Sequence, residues 1–160
     1  MRIKTVLLIW VIGLSAWCLA AEPVSDLKTE VTFVTGRVCV GVKCFQVDVA
    51  DKPILRSLGL MGRIELAPNS GMWFVFDYLG KYTFWMKETL IPLDIIFVNE
   101  RFEIVSIFEN VPPCIEDPCP LYTTKENSLY VLEIPGGSVS RYQISLGDIA
   151  VYTQLTETKL

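Results

Sequence analysis

Five residues carry the chemistry this sequence could perform. Trp85, Lys87 and Asp94 lie within KYTFWMKETLIPLDIIF, residues 81–97; Glu133 lies in YVLEIPGG and Asp148 in SLGD. Asp94, Glu133 and Asp148 are the acids from which a carboxylate pair could be drawn. Such a pair hydrolyses glycosides without histidine, at about 5–5.5 Å separation when configuration is retained and about 6.5–9.5 Å when it is inverted. Trp85 would then be the surface on which a sugar ring stacks. The same five residues also suit a ligand pocket with no catalysis, and none is assigned a catalytic role.

A structural account competes at each position. An uncompensated charge in an apolar segment is costly. Lys87 is therefore expected to pair with Asp94, or Asp94 to accept backbone hydrogen bonds across the turn. Alternation puts Trp85 and Lys87 on one face of a strand from Tyr82, with Phe84 and Met86 on the other. Glu133 shares the face of Leu129 and Val131, so it is either a paired buried carboxylate or a site member. Asp148 reads as an Asx-type turn residue. Trp73 reads as core.

Composition excludes several classes. The 160 residues contain no histidine, which removes Ser–His–Asp and Cys–His catalysis and every histidine-ligated metal site. GLMGR lacks the lysine and Ser/Thr of a phosphate loop, and no cofactor or metal is expected. The formal charge is −4, from 14 basic and 18 acidic residues. That balance disfavours nucleic acid and anionic lipid as partners.

The N-terminus has the make-up of an export signal. Arg2 and Lys4 precede an apolar run from Val6 to Ala21. Cleavage after Ala20 or Ala21 would leave 12 basic against 18 acidic residues, the signal's two charges being Arg2 and Lys4. An uncleaved anchor is the alternative, although the run is short for a spanning helix. Trp17 before Cys18 is a poor lipoprotein signature. The expected organisation is a signal at 1–21, an N-terminal strand region at 22–43, and one domain at 44–155.

Four cysteines follow the signal: Cys39, Cys44, Cys114 and Cys119. An even count in an exported chain points to disulfides, with three possible pairings. Residues five apart on an extended strand lie about 17 Å apart, whereas bridged Cα atoms lie within about 7 Å. Each local pair therefore needs a turn. Asp117-Pro118 offers one in CIEDPC, and Gly41 a weaker one in CVGVKC. A four-cysteine zinc site is the competing arrangement, against which stand the spacing and the export signal.

The elements that must position these residues read as short strands. Alternation marks strands around Phe45–Val49, MWFVFDY and YTFWMK, a hairpin from LDIIFV through NER to FEIVSIF, then SLYVLEI and IAVYTQL. Asp51 and Pro53 predict a short helix ended by Gly59 and Gly62, and SVSRYQI a helical turn. The fold class is mainly β: an antiparallel sandwich or a closed barrel, with one or two short helices.

GLMGR, GMWFVF, FWMKETLIPLDIIFV, PPCIEDPCPLY, YVLEIPGG and ISLGD occur in this order over about residues 44–152. Together they closely resemble the domain of unknown function family 192, an uncharacterised prokaryotic group. The resemblance implies a sandwich of jelly-roll type and supplies no reaction. The expected function is an exported β domain, periplasmic or extracellular, with a non-catalytic binding or envelope-accessory role. Its partner would be a small ligand or an envelope protein, and a membrane only if the N-terminal segment stays uncleaved. The alternative is a carbohydrate-active protein.

Overall fold

Leu93 to Val98 are six consecutive buried residues, which in a strand requires cover on both faces. They form the second strand of a seven-stranded sheet in the computed structural model, which describes residues 33–155. In chain order the elements are β1 (Val34–Val40), β2 (Lys43–Ala50), α1 (Pro53–Leu58), β3 (Ser70–Gly80), β4 (Thr83–Trp85), β5 (Leu93–Val98), β6 (Ile104–Val111), β7 (Leu121–Thr123), β8 (Ser128–Pro135), α2 (Ser138–Tyr142) and β9 (Ala150–Gln154). The large sheet runs β6-β5-β8-β3-β2-β1-β9, and β4 pairs with β7 in a separate two-stranded sheet.

The fold is mainly β, as expected, but two details differ. The sheet is mixed, because β2 and β3 run parallel, joined through α1. A parallel pair needs a long crossover, and the segment from Asp51 to Asn69 supplies it. The sheet is also not a closed barrel. Its edge strands meet only near one end, through a single Glu103–Ile149 bridge and neighbouring backbone bonds such as Ile104 N–H to the Asp148 carbonyl, 2.9 Å. Sequence alternation cannot distinguish a sheet that curls this far from one that closes.

Both faces of the central strands are covered. Phe45, Trp73, Ile96 and Leu132 pack on one face with Val139 of α2. Met72, Phe74, Ile95, Phe97 and Val131 pack on the other with Leu55 of α1, and Phe84 of β4 lies against them. The second face is a chain of aromatic edges: Phe74 to Phe84 at 5.0 Å, Phe84 to Phe97 at 5.6 Å, Phe97 to Phe108 at 5.9 Å. Each such contact adds about 0.5–1.5 kcal/mol beyond area burial.

Two disulfides close local loops, Cys39–Cys44 and Cys114–Cys119. The first joins cross-strand partners of the β1–β2 hairpin, whose tip Gly41 adopts φ +56°. α1 begins with Pro53 in its first turn and ends at Gly59, whose N–H donates to the Leu55 carbonyl. Asp51 does not cap it: the cap position is Lys52, with no side-chain cap bond. The apolar run at 6–21, the expected signal or anchor, lies outside the described residues. Among the described residues no helix is long and apolar enough to cross a membrane.

Candidate functional site

Asp94 is fully buried, and its carboxylate is consumed by the backbone. Oδ1 accepts from Asn110 N–H (2.6 Å) and Gly137 N–H (2.9 Å), and Oδ2 from Val139 N–H (2.7 Å). Those amides belong to the end of β6 and the start of α2, so one side chain ties β5 to both. Gly136 is required beside it. A Cβ there would stand 2.8 Å from Asn110 Oδ1 and 3.0 Å from Pro92 Cβ.

Lys87 does not meet Asp94. Its Nζ donates to Asp117 Oδ2 at 2.8 Å, and that hydrogen bond raises its pKa above the ordinary lysine value. The same Nζ stands 5.5 Å from the Trp85 ring centroid. The partner was not legible because Asp117 lies 30 residues away, in the loop closed by Cys114–Cys119. Glu88 N–H donates to the Cys114 carbonyl (3.0 Å), and the Glu88 carbonyl accepts from Gly62 N–H (2.9 Å). The disulfide loop, the KET segment and the GLMGR segment are thereby sewn together. Asp148 sits elsewhere, in a reciprocal turn, where Oδ2 accepts from Ser145 N–H at 2.8 Å.

Glu133 is the odd member. It is 4% exposed, and among the described residues no hydrogen bond or ion pair meets its carboxyl, whose pKa is shifted by burial alone. Its cross-strand neighbours, Met72 and Ile95, are apolar. Burial alone pushes its pKa up to about 8, so the carboxyl is mostly protonated at neutral pH. It lines a small pit of about 40 Å³ with Arg56, Met61, Trp85, Lys87 and Thr89. Its oxygens keep a trace of solvent contact, since the one fully sealed side-chain polar atom without a partner among the described residues is Trp73 Nε1. A carboxyl this deep with no protein partner, at the foot of a pit, still marks a candidate site.

The pit opens beside a larger groove of about 290 Å³ between α1 and β4. Phe74, Phe76, Tyr82, Phe84 and Trp85 form its wall, with Pro53 and Arg56 across from them. Trp85 is 48% exposed, whereas Trp73 is completely buried against Tyr130 and Tyr152. Arg56 lies 5.3 Å from the Phe76 ring, bonds the Asp51 and Val75 carbonyls, and pairs with Asp77 at 3.3 Å. Both flanking cations are thus already matched by an aspartate.

Of the five sequence candidates, the structure brings Trp85, Lys87 and Glu133 together and places Asp94 and Asp148 apart. A carboxylate pair drawn from the three acids does not form. Beyond Trp85, the sequence does not single out the aromatic wall, nor Arg56. Alternation does put Phe74 and Phe76, and likewise Tyr82 and Phe84, on common faces. That α1 would lie opposite them required the fold. Among the described residues no group of acids and cysteines is arranged to hold a metal ion.

A family model named DUF192 and described as "Uncharacterized ACR" matches residues 36–151. No curated protein matches the chain. Two solved structures are similar. One is a Sinorhizobium meliloti 1021 protein carrying the provisional label of transcription regulator. It is 34% identical with a TM-score of 0.72, covering 77% of this chain and 97% of that one. The other is a Novosphingobium aromaticivorans DSM 12444 protein of unknown function. It is 35% identical with a TM-score of 0.67, covering 82% of this chain and 91% of that one.

Proposed function

This chain belongs to the DUF192 family, and from that premise we propose that it is an exported, non-catalytic binding domain whose site is the groove between α1 and β4. The carrying observation is Glu133: a buried carboxyl, unpartnered among the described residues, in a pit that shares Arg56, Ser57, Phe74, Phe84 and Trp85 with the adjoining aromatic groove. Sites for organic ligands combine an apolar wall with a few placed polar groups, and this one has both. The paired-acid chemistry of a glycosidase finds no support, because Glu133 is the only carboxylate among the residues lining the pit and groove.

The oxidised location rests on the two disulfides, which persist in periplasmic or extracellular surroundings. The regulator label of the Sinorhizobium relative does not carry over readily. A net charge of −4 offers a phosphate backbone little attraction.

The test is a thermal-shift and NMR screen of soluble glycans, aromatic metabolites and amines against the purified chain. Hits should move resonances of Trp85 and weaken in Trp85→Ala. Hits that are indifferent to Trp85→Ala and to Glu133→Gln would place binding elsewhere and end this reading.

A further inference from the structure

The groove carries more than apolar surface. The pit that adjoins it holds a carboxyl for which the described residues provide no counter-charge. Arg56, facing it from α1, is matched by Asp77; Lys87, from the segment after β4, is matched by Asp117. No other ionisable group lines the pit, and Met72, Phe74 and Ile95 are what the neighbouring strands present.

The aromatic faces around it already hold cations. The Arg56 guanidinium lies over Phe76 and the Lys87 ammonium over Trp85, at 5.3 and 5.5 Å. Such faces attract positive charge through the ring quadrupole. The pit's volume of about 40 Å³ suits a group little larger than a water molecule, while the groove of about 290 Å³ has room for a body behind it.

Taking the groove as the binding site, we propose that its ligand is a primary ammonium group on an apolar or aromatic body. The ammonium enters the pit and donates to the Glu133 carboxylate, and the body lies along Phe74, Phe84 and Trp85. An anionic head would meet a buried acid with no free cation beside it. A neutral hydroxyl or carbonyl could bond the protonated acid but would gain nothing from the ring faces as a charge.

The two alternatives differ in proton balance. An ammonium ion drives Glu133 from its acid to its carboxylate form, and the proton goes to buffer. A neutral ligand leaves that proton in place. Because Glu133 is mostly protonated at pH 7, the ammonium ligand should release close to one proton there. Its apparent affinity should rise severalfold between about pH 7 and pH 8.5, as the carboxyl ionises while the amine stays charged.

The experiment is titration calorimetry on the whole purified chain with phenethylammonium chloride, in buffers of different ionisation enthalpy. 2-Phenylethanol and 3-phenylpropionate serve as neutral and anionic analogues. The expected result is binding of the ammonium ion with proton release, at least tenfold tighter than either analogue. Glu133→Gln should abolish the proton release and the tenfold preference. Trp85→Ala, which keeps the acid, should weaken ammonium and alcohol alike.

Ammonium binding without proton release, equal affinity for the alcohol, an unaffected Glu133→Gln variant, or no binding of the ammonium ion would each overturn the inference. If the alcohol binds through Trp85 and the ammonium does not, the inference fails while the groove remains a binding site. If the screen finds every ligand away from Trp85, the binding reading itself has failed.

Discussion

Asp94 and Glu133 stand on neighbouring antiparallel strands with their side chains on opposite faces of the sheet. Ile134 is the cross-strand partner of Asp94, and Ile95 that of Glu133. Successive strand residues alternate faces, so Asp94 shares the side of Ile96 and Ile134, and Glu133 that of Ile95 and Val131. No ligand can touch both across β5 and β8. The two acids therefore do separate work, one holding backbone and one facing a cavity, and substitutions should tell them apart.

Asp94→Ala leaves the N–H groups of Asn110, Gly137 and Val139 without their acceptor. Each unsatisfied buried donor costs about 1–3 kcal/mol. The loss should exceed about 3 kcal/mol by urea denaturation. Whatever fraction remains folded should bind ligands at the groove as the parent does. A loss below about 1 kcal/mol would mean water readily replaces the carboxylate.

Glu133 makes stability fall as pH rises. Its pKa goes from 4.5, the ordinary value, to about 8 on burial, so the folded state holds a proton that the unfolded state releases. The stability associated with the neutral acid is complete below pH 4.5 and is lost progressively up to about pH 8, at most about 1.4 kcal/mol per pH unit. Melting curves between pH 5 and 8.5 should show this decline in the parent chain. In Glu133→Gln, which has no proton to lose, the decline should be much shallower.

Trp73 and Trp85 should respond in opposite ways. Trp73→Ala empties a fully buried site stacked between Tyr130 and Tyr152, and should cost about 3–5 kcal/mol. Trp85→Ala removes a half-exposed ring, and should change stability by less than about 1 kcal/mol while reducing ligand affinity. Lys87→Met should leave the unfolding midpoint nearly unchanged, because its pair with Asp117 is open to solvent. Equal destabilisation by both tryptophan substitutions would make Trp85 a packing residue.

Local signals in the sequence placed most strands, because side-chain alternation and turn residues are encoded within a few positions. The LDIIFV–FEIVSIF hairpin, the helix behind Pro53 and the strand before PGG all follow from such signals. The parallel β2–β3 pairing does not, since nothing local says which distant strand will adjoin. The same limit governed the site. Trp85 and Lys87 could be put on one face, but Asp117 as partner, Arg56 across the groove and the pit around Glu133 arise from contacts many residues apart. The acids could be named as candidates, and only the order of strands decided which faced a cavity.

The two disulfides should prove unequal in function although similar in stability. Each closes a loop of the same short length, worth about 2 kcal/mol in the chain-entropy model. Cys39–Cys44 pins a hairpin that the β1–β2 ladder already registers. Cys114–Cys119 holds the loop that carries Asp117, and the Cys114 backbone bridges Lys87 and Thr89 while accepting from Glu88 N–H. Loosening that loop frees Lys87 beside the pit, giving Glu133 an internal cation to compete with any ligand. Replacing Cys114 and Cys119 by serine should therefore weaken ligand binding at least severalfold. The same change at Cys39 and Cys44 should leave affinity intact at a comparable loss in melting temperature. Equal affinities in the two double variants would show that the KET segment keeps its place without the second bridge.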